Sequence, residues 1–312
     1  MIEGGEGLFA RTEDFPNPSA QTRLTTLVGM GDLVDRLVTD AEVLLDPRPL
    51  QSWSESLHGE IIPAVKAIAD RTPLFVFAGD VGVGKTEVAE LIGQAIATRT
   101  GTEVTLYPLS LTARGRGAVG EMTTLLTRAF ERITVDFARA RRGDGSASGF
   151  GVLLIDEADA LAQSRELAQM HHEDRAGVNA LLRGIDGMRV DRLPVLTVLC
   201  TNRLGALDPA VQRRAAVIEV FERPAYGQRA ALLARLLVGT KLSATDIEEL
   251  ASATGEAPGR GYGYTYSDLR QRLVPEIVLA AYRRGVAVDA VIAHEVLAET
   301  PPTRPFGAEL GR

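Results

Sequence analysis

The 312-residue chain predicts an α/β fold, a parallel sheet sandwiched by helices and followed by a small all-helical lid. Three observations carry that expectation. Between Pro73 and Glu222, short strand-like apolar runs alternate with helix-like stretches, as in a sheet built from crossover units. Gly79-Asp80-Val81-Gly82-Val83-Gly84-Lys85-Thr86 matches the phosphate-binding pattern G-x-x-x-x-G-K-[ST] without a mismatch, after one such run and before a helical one. Beyond Pro224 the strand signals stop and only helical periodicity continues.

Met1 to about Gln21 is glycine, proline and polar residues and reads as a mobile tail. A helix is expected over Gly31–Leu45, then a proline-bearing turn at Pro47 and Pro49, then a helix over His58–Ala69; residues 1–70 form an N-terminal tail and helical arm. The large α/β domain, 71–223, should hold strands at Leu74–Ala78, Glu103–Leu109, Gly151–Ile155, Val195–Cys200 and Ala216–Phe221. The lid, 224–300, should hold helices at Tyr226–Leu237, Ser243–Ala253, Tyr266–Arg284 and Val288–Glu299. Residues 301–312, opening on Pro301-Pro302, read as a loose tail.

The glycine-rich loop implies a nucleoside triphosphate with Mg2+. Glycines let the backbone N–H groups of Gly79 to Thr86 face phosphates, the helix that follows points its positive end at them, and Lys85 adds a point charge. Thr86 supplies a hydroxyl for magnesium, and Glu87 completes the nucleotide-binding stretch in the opening turn of the helix. Gly151-Val152-Leu153-Leu154-Ile155 ends in Asp156-Glu157, so a second buried strand delivers two carboxylates to the same kind of edge. Asp156 is placed to hold the magnesium shell, and Glu157 to orient and deprotonate a water attacking the γ-phosphorus. Helix capping would account for one of these acids but not for the pair. Asn202 follows the fourth strand and should emerge between the loop and the Asp156-Glu157 edge, where its amide can position the water or a γ-phosphate oxygen.

A net charge of −7 argues against general nucleic-acid binding, which draws on neutralising many phosphates. The cluster Arg139, Arg141 and Arg142 reads as a frayed helix end before a Gly/Ser loop, and His171-His172 as a solvated pair pointing in different directions. The single cysteine, Cys200, sits in an apolar run and reads as a core residue. The first residues lack a secretory signal, and no apolar stretch reaches the roughly 20 residues of a membrane-spanning helix, so a cytoplasmic protein without a membrane partner is expected.

Leu207-Asp208-Pro209-Ala210-Val211-Gln212-Arg213-Arg214-Ala215 comes next. With the loop, the acidic pair and Asn202, this order resembles the AAA+ ATPases over roughly residues 58–300. The resemblance implies that Arg214, or else Arg213, reaches the neighbouring subunit's γ-phosphate as an arginine finger, so that the site is complete only in an assembly closed by head-to-tail contacts. Val178-Asn179-Ala180-Leu181-Leu182 with Ile185-Asp186, Asp208–Ala210 with Arg214-Ala215, and Leu269-Arg270 look like the pachytene-checkpoint remodellers of HORMA-domain proteins, in their compact bacterial form. That likeness implies a hexameric homo-oligomeric ring, ATP-driven conversion or unfolding of a HORMA client, and anti-phage signalling operons shared with a cyclic-oligonucleotide synthase. The alternatives are a general AAA+ unfoldase or assembly chaperone with another client, and a nucleotide-gated scaffold, against which Glu157 and the finger candidates speak.

Two positions depart from the family pattern. In Gly117-Ala118-Val119-Gly120-Glu121, Ala118 stands where a pore loop carries an aromatic residue, leaving Val119 and the backbone, with Arg114 and Arg116 beside them, to grip a threaded peptide. In Thr265-Tyr266-Ser267-Asp268-Leu269-Arg270, Ser267 stands where the lid arginine should be, and Arg270 or Arg260 is the substitute.

Overall fold

The computed structural model describes residues 8, 9, 11–111, 121–139, 149–161 and 171–306. A six-stranded sheet runs in the order β1-β3-β4-β5-β2-β6, where β1 is Glu13–Phe15, β2 Leu74–Gly79, β3 Val104–Ser110, β4 Phe150–Asp156, β5 Val195–Thr201 and β6 Val217–Phe221. The pairs β3–β4, β4–β5 and β5–β2 are parallel, with Tyr107, Leu153, Thr197 and Leu74 in register across them. Every residue of β5 is buried, and β2 and β4 are buried except at their ends. Strands covered on both faces need apolar residues in both directions, which is why Leu74-Phe75-Val76-Phe77-Ala78 and Val152-Leu153-Leu154-Ile155 run on instead of alternating.

Helices α1 to α4 are Pro18–Thr25, Gly31–Leu45, Arg48–His58 and Pro63–Ala69; α5 is Lys85–Thr100, α6 Glu121–Arg139, α7 His171–Val190 and α8 Pro209–Arg214. Phe130 and Ile133 of α6 share one buried cluster with Leu181 and Ile185 of α7 and with Leu153 and Val195 of the sheet. Among the described residues no helix is long and apolar enough to cross a membrane.

By its contacts the chain divides into two units, Met1–Thr26 with Asp32–Ala78 and Thr86–Val220, and Leu27–Gly31 with Gly79–Lys85 and Phe221–Arg312. The second contains α9 Tyr226–Leu236, α10 Ala244–Ala253, a π-type turn at Asp268–Leu273, α11 Val274–Arg284 and α12 Ala290–Glu299. Its core gathers Leu233, Leu250, Leu269, Leu273, Ile277 and Ala293. Ser243 starts α10 by a reciprocal exchange with Asp246, the side chain of each accepting from the other's backbone N–H. Buried Asp268 accepts from the backbone N–H groups of Thr265 (3.0 Å) and Thr303 (3.1 Å), the Thr303 hydroxyl (2.6 Å) and Arg272 (2.8 Å).

Three expectations are corrected. The segment expected to be a mobile tail up to Gln21 contains β1, paired antiparallel with β3, and α1, capped by Asn17. Phe15 is 2% exposed and packs where Gly93 leaves room, a burial of about 1.5–3 kcal/mol; three residues before a proline are too few to show a period. The helix expected over His58–Ala69 is helical only at Pro63–Ala69 (α4), and an unexpected helix, α3 over Arg48–His58, follows Pro47 and ends at Gly59 in a left-handed conformation (φ 77°). The expected loose tail is fastened over its described part: Pro302 is buried, Thr303 is held by Asp268, and the Phe306 N–H donates to Asp80 (2.9 Å).

A Cβ on Gly184 of α7 would lie 2.1 Å from the Phe130 ring. Gly184→Ala should therefore lower stability by about 1–3 kcal/mol through overpacking, although alanine alone favours a helix by about 1 kcal/mol; a thermal melt above the parental one would show that Phe130 moves aside. Burial pushes the Asp268 carboxyl up, but hydrogen bonds from Thr265 and Thr303 outweigh it and hold the group below its ordinary 3.8. Its stabilisation is thus full above pH 3.8 and lost as pH falls through the lower folded value. In melts taken at successively lower pH, Asp268→Asn should show a shallower acid loss than the parent.

Candidate functional site

The phosphate loop joins β2 to α5, and its geometry requires glycine. Gly82 has φ +79°, and a Cβ there would lie 2.8 Å from both Ser267 Cβ and Thr265 Oγ1. The Ser267 N–H donates to the Gly82 carbonyl (3.1 Å), so Ser267 touches the loop through its backbone. Lys85 is 7% exposed, and its Nζ donates to the carbonyls of Gly79 (3.0 Å) and Asp80 (2.6 Å). Of the lid arginines, Arg260 donates to the Gly255 carbonyl (2.8 Å) and lies over the rings of Tyr262 and Tyr264. Arg270 is exposed on the π-type turn.

The acidic strand end forms a second group. Thr86 donates through Oγ1 to Asp156 Oδ2 (3.2 Å), while Glu87 in the next position pairs with Arg23 of α1 (3.1 Å). The Thr86 hydroxyl and the Asp156 carboxylate are hard oxygen donors and fit Mg2+, which takes one or two protein oxygens and completes its shell with phosphate and water. No group of three or more His, Cys, Asp or Glu is gathered for a metal among the described residues.

Glu157 is exposed and has φ 54°, and its N–H donates to Asp156 Oδ1 (2.8 Å). A left-handed conformation is uncommon outside glycine, and such strain clusters at functional positions. Asn202 follows β5, which lies between β4 and β2 in the sheet. Sequence reasoning assigned nothing to Asp159. It is buried and accepts from Thr201 Oγ1 and the Asn202 N–H, both at 3.4 Å, tying the turn after β4 to the end of β5. Only its place in the run Asp156-Glu157-Ala158-Asp159 hinted at it.

Asp208 caps α8 through the Ala210 N–H, and the helix ends in Arg213 and Arg214. Arg214 forms a two-pronged pair with Asp186 of α7, Nε to Oδ1 and Nη2 to Oδ2, both 3.1 Å. Arg213 is exposed. Cys200 is buried in β5. The pore-loop candidates Ala118 and Val119, with Arg114 and Arg116, lie outside the described residues, as do Arg141 and Arg142.

Residues 75–223 match the family described as ATPase family associated with various cellular activities (AAA). CD-NTase-associated protein 6 of Escherichia coli strain MS 115-1 is 49% identical over 299 residues, 96% of either chain. A chain of the solved E. coli MS115-1 HORMA:CdnC:Trip13 complex is 48% identical with a TM-score of 0.88, over 96% of this chain and 97% of its own. Rhizobiales Trip13 is 38% identical with a TM-score of 0.74, over 95% of this chain and 100% of its own. With this identity over nearly the whole chain, the chain belongs to the AAA ATPase family, in the group of CD-NTase-associated protein 6.

Proposed function

We propose that this ATPase is a remodeller of a HORMA-domain protein in bacterial anti-phage signalling, working in the cytoplasm as a homo-hexameric ring. The observation that carries the client is the likeness, over 96% of the chain, to a chain of the HORMA:CdnC:Trip13 complex. In this reading the backbone of Gly79 to Thr86 and the Lys85 ammonium bind the phosphates of ATP, the lysine giving up the Gly79 and Asp80 carbonyls for phosphate oxygens. Thr86 and Asp156 hold Mg2+, which when bound neutralises charge on the phosphates. Glu157 orients a water and takes its proton as the water oxygen bonds to the γ-phosphorus and the bond to the β–γ bridging oxygen breaks, leaving ADP and inorganic phosphate. Asn202 positions the water or a γ-phosphate oxygen.

Arg214 supplies positive charge to the neighbour's γ-phosphate, with Arg213 as the second candidate. To do so Arg214 exchanges Asp186 for phosphate, so Asp186 keeps the finger ordered in a subunit without that neighbour. Ala118 and Val119 are the proposed contacts with the client, Val119 supplying the apolar grip.

Glu157→Gln should keep ATP binding and lower turnover by at least roughly 100-fold. Used as bait for affinity capture with ATP present, it should retain a HORMA-domain protein; near-parental hydrolysis removes Glu157 as the base, and capture without any HORMA protein removes the client. Arg214→Ala should bind ATP yet scarcely hydrolyse it. Mixing it with Lys85→Ala should restore part of the activity, because a mixed interface joins an intact loop to an intact finger. Absence of recovery in verified co-assemblies would mean that the finger does not act across subunits.

A further inference from the structure

The second residue of the phosphate loop is a carboxylate, Asp80, in a loop whose task is to receive anions. Its side chain is 16% exposed and that of its partner Arg223 is 14% exposed. Arg223 donates to Asp80 Oδ2 through Nε (3.0 Å) and Nη2. The other carboxylate oxygen, Oδ1, accepts the backbone N–H groups of Val81 (2.9 Å) and Phe306 (2.9 Å). Arg223 also donates through Nη1 to the carbonyls of Gly263 (2.5 Å) and Thr303 (2.9 Å), and its guanidinium lies 5.1 Å from the centre of the Tyr262 ring. Asp80 in turn gives its carbonyl to Lys85 Nζ at 2.6 Å. One residue therefore holds the phosphate-binding lysine while itself being held by Arg223 and the C-terminal segment. Burial raises the Asp80 carboxyl, but the bonds from Arg223, Phe306 and Val81 prevail and keep it below its ordinary value, so it stays charged at neutral pH.

A negative charge that close to Lys85 would oppose the phosphates unless it were cancelled. Arginine suits the task, since its planar fork pairs with the carboxylate and still has donors for two carbonyls. We infer that Arg223 is a positioning residue for the nucleotide, acting through Asp80: it cancels that carboxylate's charge so that Lys85 is offered to phosphate without an opposing anion. The inference rests on the ATP reading of the loop and adds to it a residue outside the loop that governs affinity, not the chemical step.

The test uses the full-length chain and its variants Arg223→Gln, Arg223→Lys, Asp80→Asn and the double variant Arg223→Gln/Asp80→Asn, with initial rates against ATP and equilibrium binding of a fluorescent ATP analogue. Arg223→Gln should raise the KM for ATP by about 10-fold with kcat within about 3-fold of the parent, the mark of lost binding that is equal in ground and transition states. Arg223→Lys should recover part of that loss. The double variant should return KM to within about 3-fold of the parent, because no uncancelled carboxylate remains. Asp80→Asn, which keeps the arginine and its carbonyl bonds, should lower KM by about 2- to 3-fold and serves even where Arg223→Gln fails to fold.

A KM raised in Asp80→Asn as much as in Arg223→Gln, or a double variant no better than Arg223→Gln, would assign the pair to architecture alone and overturn the inference. So would a parental KM in Arg223→Gln. A parental chain that neither binds nor hydrolyses ATP would instead overturn the ATPase reading beneath it.

Discussion

The parallel register of β4, β5 and β2 is the constraint on which the remaining structure depends. Ile155 lies beside Leu199 and Ala78 beside Thr201, so Asp156, Asn202 and the glycine loop all begin at one edge of the sheet. That register is held by strands buried on both faces, where a slip of one residue would exchange every side chain between two filled layers. Ligand-binding edges of open α/β sheets follow from the same rule, since the carboxyl ends of the strands are where the chain leaves the core and becomes free to carry chemistry.

Charge is met by partners within each unit. Asp80 has Arg223, Asp186 has Arg214, and Lys85 has two loop carbonyls. Asp159, buried in the turn after β4, is met by a hydroxyl and a backbone N–H. Leaving Lys85 or Asp159 buried without a partner would cost far more than a surface ion pair such as Arg214–Asp186 returns. The bonds that hold Lys85 to the Gly79 and Asp80 carbonyls are made within the loop itself, so its ammonium is fixed without any ligand.

Strands β2 to β6 and the glycine turn between β2 and α5 were legible because their signals are local: an uninterrupted apolar run and a glycine spacing. Helix α2 begins and ends where its periodicity says, and Gly59 and Pro63 carry stop and start signals for α3 and α4 that the reading of one helix over His58–Ala69 passed over. What stayed hidden depends on partners far along the chain. Phe15 finds its place only because Gly93 is small, and Thr303 and Phe306 are fixed by Asp268 and Asp80. Pro301-Pro302 looks like the beginning of a tail by composition, and no period of residues announces that buried Pro302 is followed by an anchor. Arg223 lies just before Pro224, at the point where strand signals end, and only the folded chain brings it to Asp80.

The three residues of β1 also govern what happens at the rim of the sheet. They occupy the hydrogen-bonding edge of β3 at Leu106, Thr105 and Val104, an edge that would otherwise be open to a strand from another molecule. A protease cut or a bulky fusion that displaced Glu13–Phe15 would do more than shorten the chain. It would bare a row of backbone donors and acceptors beside the vacated seat of Phe15, and the freed molecules would have a surface on which to add to one another strand by strand.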